Sequence, residues 1–221
     1  MSVKFHGWEV VDDGASFPGV VLGPSQKPQN RGVYTMYHGT SIDSARLIIA
    51  NGFKQSSNGL LGSGVYVSRD TNKASNYPYF TNPSERVVLE VRVRVGRVKR
   101  IDSSNHPMRL TWQANGYDTA WVPANTPQWF SGLQEDCVFD PKRVKVVGIS
   151  KAANTSLQKE LQQLIAKQSQ TTARRSGGGA AVCSLCKRKT QQDSQHIKER
   201  CWKCGENICI LMSKHLCSAS P

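Results

Sequence analysis

Missing from the chain is any apolar run near the roughly 18–20 residues that a membrane-spanning helix requires, so no membrane partner is expected. The first twenty residues have neither the basic start nor the apolar core of a secretory leader. The expected compartment is therefore cytoplasmic, nuclear or both, where thiols stay reduced. Cysteine is nearly absent from the first 180 residues: Cys137 stands alone there, and the other six fall between Cys183 and Cys217. Clustering of that kind points to metal ligation and away from a disulfide framework. Acidic residues are scarce, 16 against 29 Lys and Arg, giving a net charge of +13. From Lys151 onward there are 12 basic and 4 acidic residues, against 17 and 12 before it. The tail is thus the denser cation, suited to a polyanion such as nucleic acid or to solubility alone.

What is present reads as α+β. Val33, Tyr34, Met36 and Tyr37 have strand character, and the polar run His38-Gly39-Thr40-Ser41 is expected to end that strand. Ala45, Ile48 and Ile49 recur at helical spacing after a cap at Ser41 or Asp43, with Gly52 just past the helix end. A glycine-rich loop, residues 58–64, feeds a short strand at Val65-Tyr66-Val67, and a helix starting near Asp70 carries Lys73, Ala74 and Tyr77. Between Val87 and Val95 the odd positions are all Val or Leu, while Glu90, Arg92 and Arg94 alternate with them, the period of a half-buried strand. Val138-Phe139 and Val144 to Ile149 are two further strands. Leu157, Leu161, Leu164 and Ile165 form one stripe of an amphipathic helix ending near Gln168. These signals divide the chain into an α+β domain (1–150), an amphipathic helix (151–168), a flexible basic and glycine-containing linker (169–181) and a cysteine-rich module (182–221).

Breaking the bond between nicotinamide and ribose in NAD+ builds positive charge on the ribose ring, as in glycoside hydrolysis. A protein that assists must hold the leaving ring flat, fix its amide and set a carboxylate beside the ribose. Aromatic faces, backbone amides at a strand and a glutamate supply these. Tyr37-His38-Gly39-Thr40-Ser41, Asn51-Gly52-Phe53, Gly62-Ser63-Gly64-Val65-Tyr66 and Lys73-Ala74-Ser75-Asn76-Tyr77 together resemble the PARP catalytic domain, with Glu135-Asp136-Cys137-Val138-Phe139-Asp140 at the position of its catalytic glutamate. The resemblance implies the PARP-type fold, split mixed sheets around an NAD+ cleft, and a His38, Tyr66 and Glu135 triad. It implies that His38 bonds the adenosine ribose, Gly39 holds the nicotinamide amide, and Tyr66 and Tyr77 sandwich the nicotinamide ring. Thr40 and Ala74 complete the cofactor-binding set. Many members have Ser where Ala74 stands, and the missing hydroxyl is worth about 0.5–1.5 kcal/mol of binding. Leu133 stands where arginine-modifying toxin transferases carry a second Glu or Gln, which favours the PARP branch.

Trp8, Thr35-Met36, His106-Pro107, Thr111-Trp112 and residues 116–123 extend the resemblance over about residues 4–150 to the fish interferon- and reovirus-induced antiviral proteins with a PARP-like domain. An antiviral or stress-response role, in innate immunity, is what that implies. In the tail, Cys183-x2-Cys186 and Cys201-x2-Cys204 are followed by Cys209, His215 and Cys217. Two-residue spacing lets one tight turn present both thiolates to a tetrahedral zinc. Seven ligands, with His196 as an eighth, leave the number of zinc ions and their pairing open. Folding of so small a segment is expected to need the metal. Residues 200–209 with His215 and Cys217 resemble the cysteine-rich module of piggyBac-type transposases, which implies DNA binding. Docking of a protein and a purely structural role are the other readings of this segment.

Three functions follow from these residues: a transferase that moves ADP-ribose from NAD+ to a protein or nucleic-acid acceptor, an inactive NAD+ or ADP-ribose binder, and a nucleic-acid-binding protein acting through its tail. The acceptor, the length of the product and the oligomeric state have no signature in the sequence.

Overall fold

The computed structural model describes residues 2–4, 21–23, 25–30, 32–127, 134–175, 198–200, 204–209 and 214–216. In chain order these form β1 (Ser2–Lys4), β2 (Val33–Ser41), α1 (Ile42–Asn51), β3 (Ser56–Gly59), β4 (Gly62–Val67), α2 (Thr71–Ser75), β5 (Arg86–Arg94), β6 (Val98–Arg100), β7 (Thr119–Val122), β8 (Glu135–Val138), β9 (Val144–Lys151), α3 (Thr155–Arg175), β10 (Lys198–Arg200), β11 (Asn207–Cys209) and β12 (Lys214–Leu216). They fall into two compact units, Gly19–Gln168 and Met1–Pro18 with Ser169–Pro221.

The larger unit holds two sheets. One is three-stranded and antiparallel, β2-β5-β9; the other is mixed, β3-β4-β8-β7-β6, with β6 and β7 parallel. A bridge joins them where Tyr37 and Ser68 exchange backbone hydrogen bonds of 2.7 and 2.8 Å. The alternation in β5 places Val87, Leu89, Val91 and Val93 fully inside the core, each buried side chain adding about 1.5–3 kcal/mol of hydrophobic stabilisation. Tyr34, Met36, Val65, Val67, Trp121 and Val138 pack into the same cluster.

β2 does not stop at the polar run. It continues through His38, Gly39, Thr40 and Ser41, because each of these residues has a partner on β5, from Leu89 to Arg86. Pairing across the sheet overrides the weak local strand preference of the run. Ser41 then caps α1, its side chain accepting from the Ser44 N–H at 3.2 Å, and Gly52 ends the helix at φ 82°.

α3 likewise outruns the expected helix end. Its Leu157 and Leu161 enter the core beside α1, Asn154 caps it through the Leu157 N–H at 2.9 Å, and it runs on to Arg175. Residues 169–175, expected as linker, carry no proline or glycine, so nothing local breaks the helix before Gly177. Arg46 on α1 joins Glu160 on α3 at 2.8 Å, and the Gln168 amide donates to the Ala50 carbonyl at 2.6 Å.

In the smaller unit β1 pairs with β12 and β10 with β11, both antiparallel. Cys204 lies in the turn before β11, Cys209 ends β11 and His215 is in β12. Cys183, Cys186, Cys201, Cys217 and His196, like Trp8, Leu133 and residues 176–181, lie outside the described residues. Among the described residues no three His, Cys, Asp or Glu side chains are grouped to hold a metal ion.

Candidate active site

The cleft is assembled where β2 and β4 face each other. His38 sits on β2, and its Nδ1–H donates to the Tyr66 carbonyl on β4 at 2.8 Å. A carbonyl only accepts, so this bond fixes the tautomer and leaves Nε2 as an acceptor. Burial lowers the His38 pKa below its ordinary 6.5, against the opposing pull of the Tyr66 carbonyl, and keeps the ring neutral. The Phe53 ring meets the imidazole edge to face, centroids 5.1 Å apart.

Gly39 follows on the same strand. A Cβ there would stand 1.7 Å from the Ala74 carbonyl oxygen, so only glycine lets β2 and the end of α2 approach this closely. Thr40 is buried beside it, and Ala74 is buried on α2.

Tyr66 is pinned at its far end. Its hydroxyl accepts from the Leu61 N–H at 2.8 Å and donates to the Gly62 carbonyl at 2.7 Å. The glycine-rich turn therefore serves to seat this hydroxyl: a Cβ at Gly59 would lie 1.9 Å from it. Burial raises the Tyr66 pKa well above its ordinary value of 10.0. Tyr77 lies two residues beyond the end of α2, its N–H donating to the Ala74 carbonyl at 3.1 Å. Burial, the Tyr79 hydroxyl and the Glu135 charge all raise its pKa too, so both rings are neutral, flat surfaces at any physiological pH.

Glu135 opens β8 and is buried. Lys73 of α2 lies 3.3 Å from Glu135 Oε1, and its ammonium also donates to the Gln134 carbonyl. Glu135 Oε2 is buried without a hydrogen-bond partner. An orphaned carboxylate oxygen is costly unless a ligand donor completes it. Lys73, the cation that meets Glu135, went unnoticed in the sequence beyond its place in a motif. The signal was its place four residues before Tyr77 in the same motif, although the helix expected to carry both ends at Ser75 and leaves Tyr77 outside it.

The next residue, Asp136, points the other way and forms a buried two-pronged pair with Arg69, at 2.9 and 3.0 Å. Arg69 also donates to the Gly23 and Gln26 carbonyls at 3.0 and 2.5 Å. The pair anchors β8 directly behind Glu135. Burial pushes the neighbouring Cys137 thiol up to about 12, so it stays protonated and is no nucleophile.

His38, Gly39, Thr40 and Tyr66 share one cavity of about 620 Å³ with Ala74, Tyr77 and Glu135, and Lys73 lines it as well. All seven residues singled out in the sequence for the cleft thus meet in one place, brought there by β2, β4, α2, the segment after α2 and β8. The size suits a ligand larger than a single ring. The larger unit is a split-sheet α+β domain with a neutral histidine, two tyrosines and an anchored glutamate around one cleft.

The model of the poly(ADP-ribose) polymerase catalytic domain matches residues 24–164, well over half of the chain. The chain belongs to this family, whose domains use NAD+ as the substrate of ADP-ribosyl transfer. The comparison with curated proteins found no match.

Proposed function

We propose that the chain is an NAD+-dependent ADP-ribosyltransferase that moves ADP-ribose to a protein or nucleic-acid acceptor. The observation that carries this reading is the buried, unpartnered Oε2 of Glu135, held beside two tyrosine rings. In this reading Tyr66 and Tyr77 bracket the nicotinamide ring and the Gly39 backbone holds its amide. Nε2 of His38 accepts a hydroxyl of the adenosine ribose. Glu135 Oε2 accepts a hydroxyl of the nicotinamide ribose and stabilises the cation that grows there. The ribose–nicotinamide bond breaks with its electron pair leaving on nicotinamide. The acceptor's nucleophile then bonds to the same carbon and releases its proton. Lys73, fixed on Oε1, keeps the carboxylate turned toward the sugar.

A second reading, a binder without turnover, is favoured by one observation. Ala74 offers no hydroxyl to the cavity, and the neighbouring Ser75 hydroxyl is committed to the Asn72 carbonyl at 2.8 Å. The tail completes the proposal: Cys183, Cys186, Cys201, Cys204, Cys209, His215 and Cys217 would bind zinc, structurally. The turn position of Cys204 next to Gly205, φ 75°, is the backbone form that suits a Cys-x2-Cys ligand pair. With its basic charge the tail would choose partner or place, nucleic acid included, in the cytoplasm or nucleus. The antiviral role rests on the fish-protein resemblance alone.

Incubation of the full chain with NAD+ labelled in the ADP-ribose half, with and without added RNA and DNA, tests the proposal. Label that moves to protein or nucleic acid with wild type and not with Glu135→Ala supports the transferase and gives its acceptor class. NAD+ that binds without label transfer or nicotinamide release leaves the binding module as the function.

A further inference from the structure

Tyr77 is held in part by residues that do not themselves line the cavity. The segment after α2, residues 76–82, carries Tyr77, Tyr79 and Phe80 past the mouth of the cleft. Phe80 is fully exposed and Tyr79 is 60% exposed. Such a segment, rich in exposed aromatics, has little burial of its own to give it a shape.

Its shape comes from one side chain. Arg86, the first residue of β5 and the Cα partner of Ser41 on β2, directs its guanidinium at two carbonyls of the segment and at one at the end of α2. Nε donates to Thr81 at 2.8 Å, one terminal nitrogen to Tyr79 at 3.0 Å and the other to Ser75 at 3.4 Å. The planar fork of an arginine suits three diverging acceptors, which the point charge of a lysine does not. The Thr81 N–H closes a turn on the Pro78 carbonyl at 3.1 Å. Tyr79, its carbonyl fixed in this way, passes the constraint inward: its hydroxyl donates to the Tyr77 hydroxyl at 3.1 Å, and the two rings lie 4.4 Å apart at 49°.

We propose that Arg86 and Tyr79 are positioning residues for the nicotinamide half of NAD+, setting the tilt and depth of the Tyr77 ring from outside the cavity. This rests on the reading that Tyr77 stacks on the nicotinamide ring. Ordering the wall before the ligand arrives lowers the entropic cost of binding, and only for the ligand part that touches this wall. The adenosine half meets His38, whereas the Arg86 guanidinium bonds go to Thr81, Tyr79 and Ser75.

The test is equilibrium binding to the full chain of three probes: NAD+, benzamide for the carboxamide ring alone, and ADP-ribose for the remainder. The variants are Tyr77→Ala, Tyr79→Phe, Arg86→Lys and, as a control on the same segment, Phe80→Ala. Tyr79→Phe removes one hydroxyl and keeps the ring, so benzamide and NAD+ should weaken about three- to tenfold. Arg86→Lys keeps the charge and loses the fork, and should weaken them about tenfold. ADP-ribose should bind both variants as it binds wild type, and Phe80→Ala should bind all three probes normally. If Tyr77→Ala leaves benzamide binding intact, the stacking reading fails and takes the proposal with it. If Tyr77→Ala weakens benzamide while Tyr79→Phe and Arg86→Lys do not, only the proposal is overturned. Equal losses for benzamide and ADP-ribose overturn it too, by showing a general structural defect. Should Arg86→Lys fail to fold, Tyr79→Phe decides alone.

Discussion

At the scale of single residues the cleft is a set of side chains with one free bonding direction each. His38 spends Nδ1 on the Tyr66 carbonyl, and Glu135 spends Oε1 on Lys73, so Nε2 and Oε2 are the atoms left to meet the proposed NAD+. The protonation of His38 gives a pH dependence with a definite sign. Its folded pKa is depressed by burial below 6.5. The neutral ring's contribution to stability is complete above about pH 6.5 and declines as pH falls from there through the folded value, because the unfolded chain takes up the proton first. Protonation also converts the Nε2 acceptor into a donor. NAD+ affinity should therefore hold from pH 8 to about 6.5 and drop as the pH falls further, and His38→Gln should flatten that drop. Titration calorimetry across this range checks it, and an unchanged profile in the variant would count against the assigned role. Ala74→Ser should add one hydrogen bond to the carboxamide, about 0.5–1.5 kcal/mol, so NAD+ should bind a few-fold more tightly. Unchanged affinity would show that position 74 does not face the carboxamide.

At the scale of elements, the cleft is as precise as the strands behind it. β8 bears Glu135 on one side and Asp136 on the other, and the Asp136–Arg69 pair fastens the strand to β4's end and to residues 23–26. Arg69→Met leaves a buried carboxylate without its cation and should cost about 3–5 kcal/mol, read as a lower urea midpoint. The double variant Arg69→Met with Asp136→Leu should recover much of that loss, and failure to recover any would place the role of Arg69 elsewhere. This pair shows where sequence reading stops. Some elements were legible because periodicity is local: β5 announces itself in its alternating Val and Leu, and α1 in its cap and its closing Gly52, while β3, β6 and β7 went unread. The cleft residues were legible because they stand in short recognisable strings. Arg69 and Asp136 are 67 residues apart, Lys73 and Gln134 61, and no local pattern links such partners. The same holds for the end of β2, whose polar residues are strand only because β5 lies beside them, and for Arg86, which reads in sequence as an ordinary strand-edge cation.

At the scale of the whole molecule, a cleft-bearing unit of Gly19–Gln168 contains every residue assigned to NAD+, and the cysteine-rich segment belongs to the other unit. The proposed zinc and the NAD+ cleft should therefore be separable. Removing metal from the full chain with a strong chelator should release zinc, measurable by mass spectrometry, and expose the tail thiols to a thiol reagent, while benzamide affinity stays within about twofold. Purified chain that contains no zinc would contradict the assignment of the tail ligands. The central claim is that Glu135 acts on the ribose as its bond to nicotinamide breaks. The most direct measurement is the rate of nicotinamide release from bound NAD+ in a single turnover, wild type beside Glu135→Gln, with NAD+ affinity determined for both. The account predicts affinity unchanged within a few-fold and release slowed by about a hundredfold or more; equal release rates in the two proteins would contradict it.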